Sequence, residues 1–302
     1  MNRINRRAFL RIGATGVGLT ASSMLLQGFG FGDLSSSLQS VTKYAESATK
    51  SFKAVSKALE DITPEQEYYI GRTIGAIVLD KYKPYNHPQT NYYLNQLGQT
   101  LSRFSDLPEL YDGYHFMALD SSEINAFATP SGLIFVTRGM LRCCQHENSL
   151  AAVLAHEIAH VQHKHGLQSI EKDRITKATS ILAIEGTKTF ANSDLANLTT
   201  TFENSIKDIT STMINTGYSQ AFENEADETA IIILQRVGYG GQGLIDMLKV
   251  MQKNLKPGGI DFAKTHPSPT DRVENINSIL KTKSGAPDPS RVQRFETALQ
   301  GV

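Results

Sequence analysis

The 302-residue sequence predicts a mainly α-helical protein with a small antiparallel β-sheet, an α+β fold. Apolar residues recur at helical spacing through most of the chain after residue 62. Three short segments rich in aromatic and β-branched residues are grouped between residues 114 and 137, which is typical of strands. After an N-terminal leader, roughly 270 residues remain, enough for one large core.

The N-terminus predicts export from the cytoplasm. Arg6 and Arg7 precede Phe9 and Leu10, and a weakly apolar stretch follows to residue 26. This is the twin-arginine pattern, so residues 1–30 are predicted to be a signal segment. The apolar stretch is shorter than the roughly 20 residues of a membrane span. We therefore expect a periplasmic or exported protein, with the segment either cleaved or kept as an inner-membrane anchor.

Residues 31–61 predict an amphipathic helix. Apolar residues alternate spacings of three and four at Leu38, Val41, Ala45, Ala48, Phe52, Val55 and Leu59. We expect this helix to pack on the main domain, residues 62–302. Pairing with another chain and peripheral membrane association are the alternatives.

The first part of the main domain predicts two helices and the sheet. Thr63 and Pro64 are a helix-start signature, and a second helix is predicted over residues 88–104. The strands are predicted at Tyr114–Leu119, Ile124–Ala128 and Leu133–Thr137. Further helices are predicted over residues 166–190, 241–254, 269–282 and 289–300, and residues 191–217 are predicted to be a mobile segment near the cleft, a candidate gate.

A histidine pair points to metal chemistry. His156 and His160 are four residues apart in an apolar run predicted as helix to His165, so both imidazoles lie on one face. Two such imidazoles can bind zinc, and Glu157 is placed to take a proton from a metal-bound water. His163 lies about 10 Å from His156 along the axis, too far for one ion to bind both. His163 and His165 are therefore predicted to be solvated histidines at the helix C-terminus, where the helix dipole favours them.

A second helix offers a carboxylate ligand. Ser219 is a good N-cap, and the helix predicted after it places Glu223 and Asp227 on one face. Glu223 can be the third zinc ligand, and Asp227 can hold a ligating imidazole by its other nitrogen. The alternative is a solvated acidic face, which fits Glu225 and Glu228 better.

These motifs resemble the M48 metallopeptidases, gluzincins of zincin-like fold. The likeness spans roughly residues 62–282 and rests on the HExxH motif and on four other segments, Thr63–Glu67, Asn125–Leu141, Glu223–Asp227 and His266–Arg272. Gln220 and Ser131 depart from the family pattern, in which Arg and Gly are frequent. The resemblance implies the periplasmic type without a helical-repeat domain.

The resemblance also implies roles for individual residues. One zinc ion per chain would be bound by His156, His160 and Glu223, with Glu157 as general base. The Ile124–Ala128 segment, with Asn125, Ala126 and Phe127, would be an edge strand that binds substrate through its main chain. Substrates would be envelope proteins or peptides, misfolded ones among them.

His266 has three interpretations. It could stabilise the developing oxyanion, it could occupy the open coordination position of zinc, or it could be a surface residue without a role. Arg272 and Tyr218 are weaker candidates for the oxyanion role.

Composition limits the alternatives. The chain carries 30 basic and 30 acidic residues without a basic patch, which argues against nucleic acid as a partner. The competing functions are a zincin-fold chaperone and a membrane assembly factor with little or no proteolysis.

Overall fold

The structure is a computed structural model that describes residues 62–169, 203–254, 266, 269–280 and 288–302. The predicted signal segment, residues 1–30, and the predicted amphipathic helix, residues 31–61, lie outside the described residues, as does most of the helix predicted over 166–190. Within the described ranges, no helix has both the length and the apolar character that crossing a membrane requires.

The described chain is mainly helical with one small sheet, as predicted. Its elements are α1 (Pro64–Lys81), α2 (Pro88–Ser102), β1 (His115–Leu119), β2 (Ala126–Ala128), β3 (Leu133–Thr137), α3 (Arg138–Cys143), α4 (Glu147–Gln162), α5 (His165–Gln168), α6 (residues 203–211), α7 (Gln220–Val237), α8 (Gln242–Asn254), α9 (Pro269–Ile279) and α10 (Pro289–Ala298). The predicted helix starts after Thr63 and Ser219 are confirmed, because each side chain accepts a hydrogen bond from the first turn of its helix.

The sheet is mixed rather than purely antiparallel. Its order is β1-β3-β2, with β2 antiparallel and β1 parallel to β3. The turn at Pro130–Gly132 joins β2 to β3 as a hairpin, as predicted. The antiparallel prediction is wrong for β1. β3 lies between β1 and β2, and it runs parallel to β1.

The sheet is buried on both faces, and α4 packs on one of them. Ile134 and Val136 of β3 pack with α2 and α4, whereas Leu133 and Phe135 pack with α1 and α6. The helix α4 crosses β2, whose Ala126 and Ala128 side chains are small enough to allow close approach. The histidine-bearing helix is therefore held against an edge strand of the sheet.

The described part of the predicted gate is a packed helix. Residues 203–211 form α6, and the π-helical turn Thr212–Thr216 continues it. Ile206, Ile209 and Met213 recur at spacings of three and four and are buried. The abundance of Asn, Thr and Ser over residues 191–217 concealed this apolar stripe.

Candidate metal centre

Two packed helices bring three buried donor groups to one point. His156 and His160 lie one turn apart on α4, and Glu223 lies on α7, which packs along α4. The Nε2 atoms of the two histidines are 3.0 Å apart. Glu223 Oε2 is 3.3 Å from His156 Nε2, and Glu223 Oε1 is 3.4 Å from His160 Nε2. None of the three residues is more than 2% exposed.

These distances fit a shared cation. Ligands at 2.0–2.1 Å from a tetrahedral zinc ion are separated from one another by about 3.3 Å. The rings of His156 and His160 are nearly perpendicular, at 86°, so in-plane lone pairs can point to one position. Two imidazoles and a carboxylate are a donor set that suits zinc.

Asp227 and Arg272 fix the orientation of His156. Asp227 Oδ1 lies 2.9 Å from His156 Nδ1, and Arg272 binds the same carboxylate through Nη2 at 2.6 Å and Nε at 2.9 Å. A carboxylate only accepts, so Nδ1 donates and Nε2 is left facing Glu223. Burial and Arg272 lower the pKa of His156, but hydrogen bonds to Asp227 and Glu223 raise it to about 9. A cation must therefore displace a proton from this ring to bind.

Glu157 is a buried carboxyl beside the donor cluster. It is 1% exposed, and burial raises its pKa to about 7 despite the opposing effects of His156, Arg272 and the Ala128 backbone. Its Oε1 atom has no hydrogen-bond partner within the described part of the chain. A carboxyl whose pKa lies near neutrality can both take and return a proton.

His266 belongs to the same cluster. It is 3% exposed, and its Nδ1 atom lies 2.7 Å from Glu223 Oε2. One donor atom from each of His156, His160, Glu223 and His266 lies within 4.8 Å of the others, so this cluster could hold a metal ion. The interpretation of His266 as a surface residue is wrong, because the ring packs against a buried carboxylate.

Tyr218 adds a polar group at the edge of the cluster. Its ring stacks on His160 at 4.4 Å, and burial raises the pKa of its hydroxyl. Among the described residues, nothing hydrogen-bonds its Oη atom. Arg272, by contrast, is bound to the Asp227 carboxylate.

The predicted substrate strand lies next to these groups. β2 is an edge of the three-stranded sheet and is crossed by α4. Asn125, Ala126 and Phe127 are all buried, at 0%, 0% and 3% exposure. The β2 side chains therefore face the interior, and the strand has mainly its backbone to offer to another chain.

A second histidine group was not foreseen. The prediction that His163 and His165 are solvated is wrong for His165, which is 0% exposed. The helix α4 ends at Gln162, and Lys164 adopts a left-handed conformation with φ 56°, so His165 turns back toward His160. Because the helix ends at Gln162, helical spacing extended past that residue gives the wrong position for His165.

Glu225 contacts both of these histidines. Its Oε1 lies 3.3 Å from His163 Nδ1, and its Oε2 lies 3.1 Å from His165 Nε2. It is about half exposed, so the prediction of a solvated residue is only partly right. The hydrogen bond from His165 lowers the pKa of the Glu225 carboxyl, against the effect of burial.

Comparisons with known proteins agree with this geometry. A family model described as peptidase family M48 matches residues 88–280, a range that includes every residue of the cluster. The beta-barrel assembly-enhancing protease of Escherichia coli K12 is 28% identical over 218 residues, which are 70% of this chain and 42% of that protein. The mitochondrial metalloendopeptidase OMA1 of Schizosaccharomyces pombe is 28% identical over 207 residues, 67% of this chain and 56% of the relative.

A third relative is the metalloprotease YcaL of Escherichia coli K12, which is 26% identical over 160 residues, 53% of this chain and 59% of that protein. The chain thus spans less than two thirds of the length of each of these relatives. The family match nevertheless covers more than half of the chain. The protein belongs to peptidase family M48.

Proposed function

We propose that the protein is a zinc-dependent endopeptidase that hydrolyses peptide bonds in cell-envelope proteins, misfolded ones among them. The observation that carries the proposal is the convergence of His156, His160 and Glu223 beside the buried carboxyl of Glu157. His156, His160 and Glu223 would hold one zinc ion per chain. When bound, zinc would supply a Lewis acid that activates a water and polarises the scissile carbonyl.

Glu157 is the general base in this proposal. Its carboxylate takes a proton from the attacking water and delivers it to the leaving nitrogen. Its raised pKa supports the role, as does its Oε1 atom, which has no hydrogen-bond partner among the described residues. Asp227 holds the His156 ring by Nδ1 and keeps Nε2 available.

His266 controls access in this proposal. Its Nδ1 atom lies beside Glu223 at the position of a fourth donor, and a catalytic zinc site needs one position left open. Hydrolysis therefore requires the His266 ring to move aside. From a displaced position, an N–H of the ring can donate to the carbonyl oxygen, as can the hydroxyl of Tyr218.

Substrate would bind as an extended strand along β2. Its neighbour β3 occupies one side of β2, and Ala128 lies close enough to Glu157 to affect its pKa. A peptide paired with the outer side of β2 would place a backbone carbonyl next to Glu157. Such recognition reads the main chain, which suits unfolded substrates of varied sequence.

The location of the protein is inferred from its N-terminus and its relatives. The twin-arginine pattern supports a periplasmic or exported protein, and one relative is named as a protease that enhances beta-barrel assembly. Residues 31–61 would pack on the main domain in this proposal, with peripheral membrane association as the alternative.

Removal of metal tests the function. Dialysis against a chelator should abolish cleavage of casein by the purified full chain, and one equivalent of zinc should restore it, because the base alone cannot activate water sufficiently. Cleavage products would be followed by gel and mass spectrometry. Undiminished cleavage by the chelated protein contradicts the proposal. Tight zinc binding without any cleavage would instead support the chaperone or assembly alternative.

A further inference from the structure

A chain of hydrogen bonds leads away from the metal centre through His165. The Nδ1 atom of His160, on the ring edge opposite Glu223, lies 2.8 Å from His165 Nδ1. His165 Nε2 lies 3.1 Å from Glu225 Oε2. His165 is fully buried, so these two contacts account for both of its ring nitrogens.

For a neutral His165 ring, counting protons gives these hydrogen bonds a direction. The Glu225 carboxylate can only accept, so His165 Nε2 carries a hydrogen. A neutral imidazole has a single N–H, which leaves His165 Nδ1 as an acceptor. The 2.8 Å contact is then a hydrogen bond donated by His160 Nδ1, and His160 Nε2 is left with a bare lone pair.

We propose that His165 is a positioning residue of the metal centre, which holds the Nδ1 proton of His160 and is itself oriented by Glu225. The inference rests on the proposed function, since it concerns a ligand of the proposed zinc ion. Asp227 accepts the Nδ1 proton of His156 in the same way that His165, oriented by Glu225, accepts the Nδ1 proton of His160. Both ligand rings are thus held with Nε2 toward Glu223.

The surroundings of His165 suit a fixed ring. It stacks on Phe222 with centroids 4.3 Å apart and an angle of 9°. The left-handed turn at Lys164 directs the chain back to this position, and Lys164 Nζ is anchored to Glu67 Oε2 at 2.8 Å. The ring is therefore held by backbone and side-chain contacts from three elements.

A second cation site at His163, His165 and Glu225 fits the structure less well. One donor atom from each lies within 4.8 Å of the others. The two rings, however, are stacked at 5.4 Å and 15°, so their in-plane lone pairs run side by side and do not converge. A cation on His165 Nε2 would also require that nitrogen to carry no hydrogen. The hydrogen of His165 would then lie on Nδ1, and His160 Nδ1 would have to accept it and carry its own hydrogen on Nε2.

The test measures zinc affinity, by chelator competition, for variants of the full chain. His165→Phe keeps the ring and its stacking but removes the acceptor, and affinity should fall roughly 10–100-fold. His165→Asn returns an oxygen near the Nδ1 position and should recover most of that loss. His115→Phe is the matched control and should change affinity less than about threefold, because His115 is a half-exposed ring on β1 that bonds to Asp112, outside the metal centre.

Nitrogen-15 NMR of the wild-type protein provides a readout independent of any variant. His165 should carry its proton on Nε2, and His160 should carry its proton on Nδ1. A proton on His165 Nδ1, or equal zinc affinity for His165→Phe and wild type, overturns the positioning role alone. A wild type that binds no zinc overturns both this role and the proposed function. If the wild type binds a second zinc ion that Glu225→Gln loses, His163, His165 and Glu225 form a cation site and the positioning role of His165 is overturned.

Discussion

Replacing Glu157 by Gln should reduce kcat/KM for peptide hydrolysis by about 10²–10⁴-fold, the usual contribution of a positioned acid–base group. Gln has nearly the same volume as Glu but cannot take a proton from water. The variant should keep its zinc content and its melting temperature, since Glu157 is not one of the proposed ligands. Activity against casein, metal content and thermal unfolding would be measured on the same preparation.

Glu228→Gln is the matched control for this experiment. Glu228 is an exposed carboxylate on α7, so the same chemical change should leave the rate unaffected. Wild-type rates in Glu157→Gln would remove the proposed base. Loss of zinc from the variant would show that the carboxylate is needed for binding rather than for proton transfer.

Replacing Arg272 by Met should destabilise the protein by about 3–5 kcal/mol, the cost of breaking a buried ion pair. Arg272 and Asp227 are both fully buried and joined by two hydrogen bonds, so the substitution strands a carboxylate in the interior. Asp227 would then bind His156 less rigidly, and zinc affinity should fall as well. Denaturant unfolding of the zinc-free protein measures the first effect.

Two further variants test whether burial of the ion pair is the cause of the large loss of stability expected for Arg272→Met. Arg236→Met removes the pair with Asp106, whose side chains are 38% and 58% exposed, and should cost no more than about 1 kcal/mol. Adding Asp227→Asn to Arg272→Met removes the stranded charge and should recover part of the lost stability. Equal losses for Arg272→Met and Arg236→Met would contradict the account of the buried pair.

The sequence predicted the parts of the site that follow local periodicity. His156 and His160 share a helix face because four residues make about one turn, and Glu223 shares its face with Asp227 for the same reason. Capping residues such as Thr63 and Ser219 marked the helix starts. Each of these features depends on a few neighbouring residues, which a single sequence displays.

The features that were missed depend on contacts distant in sequence or on backbone conformations that the residue type disfavours. The left-handed turn at Lys164, which a non-glycine residue seldom adopts, redirects His165 toward His160. The pairing of β1 with β3 skips the strand between them. The partner of Asp227 is Arg272, 45 residues away, and no spacing rule identifies it.

The most direct test of the central claim is a crystal structure of the purified full chain with anomalous data at the zinc edge. The expected result is one anomalous peak per chain within 2.0–2.2 Å of the Nε2 atoms of His156 and His160 and of a Glu223 oxygen. A peak at His163, His165 and Glu225 alone, or no peak in zinc-loaded crystals, would contradict the assignment of the metal centre.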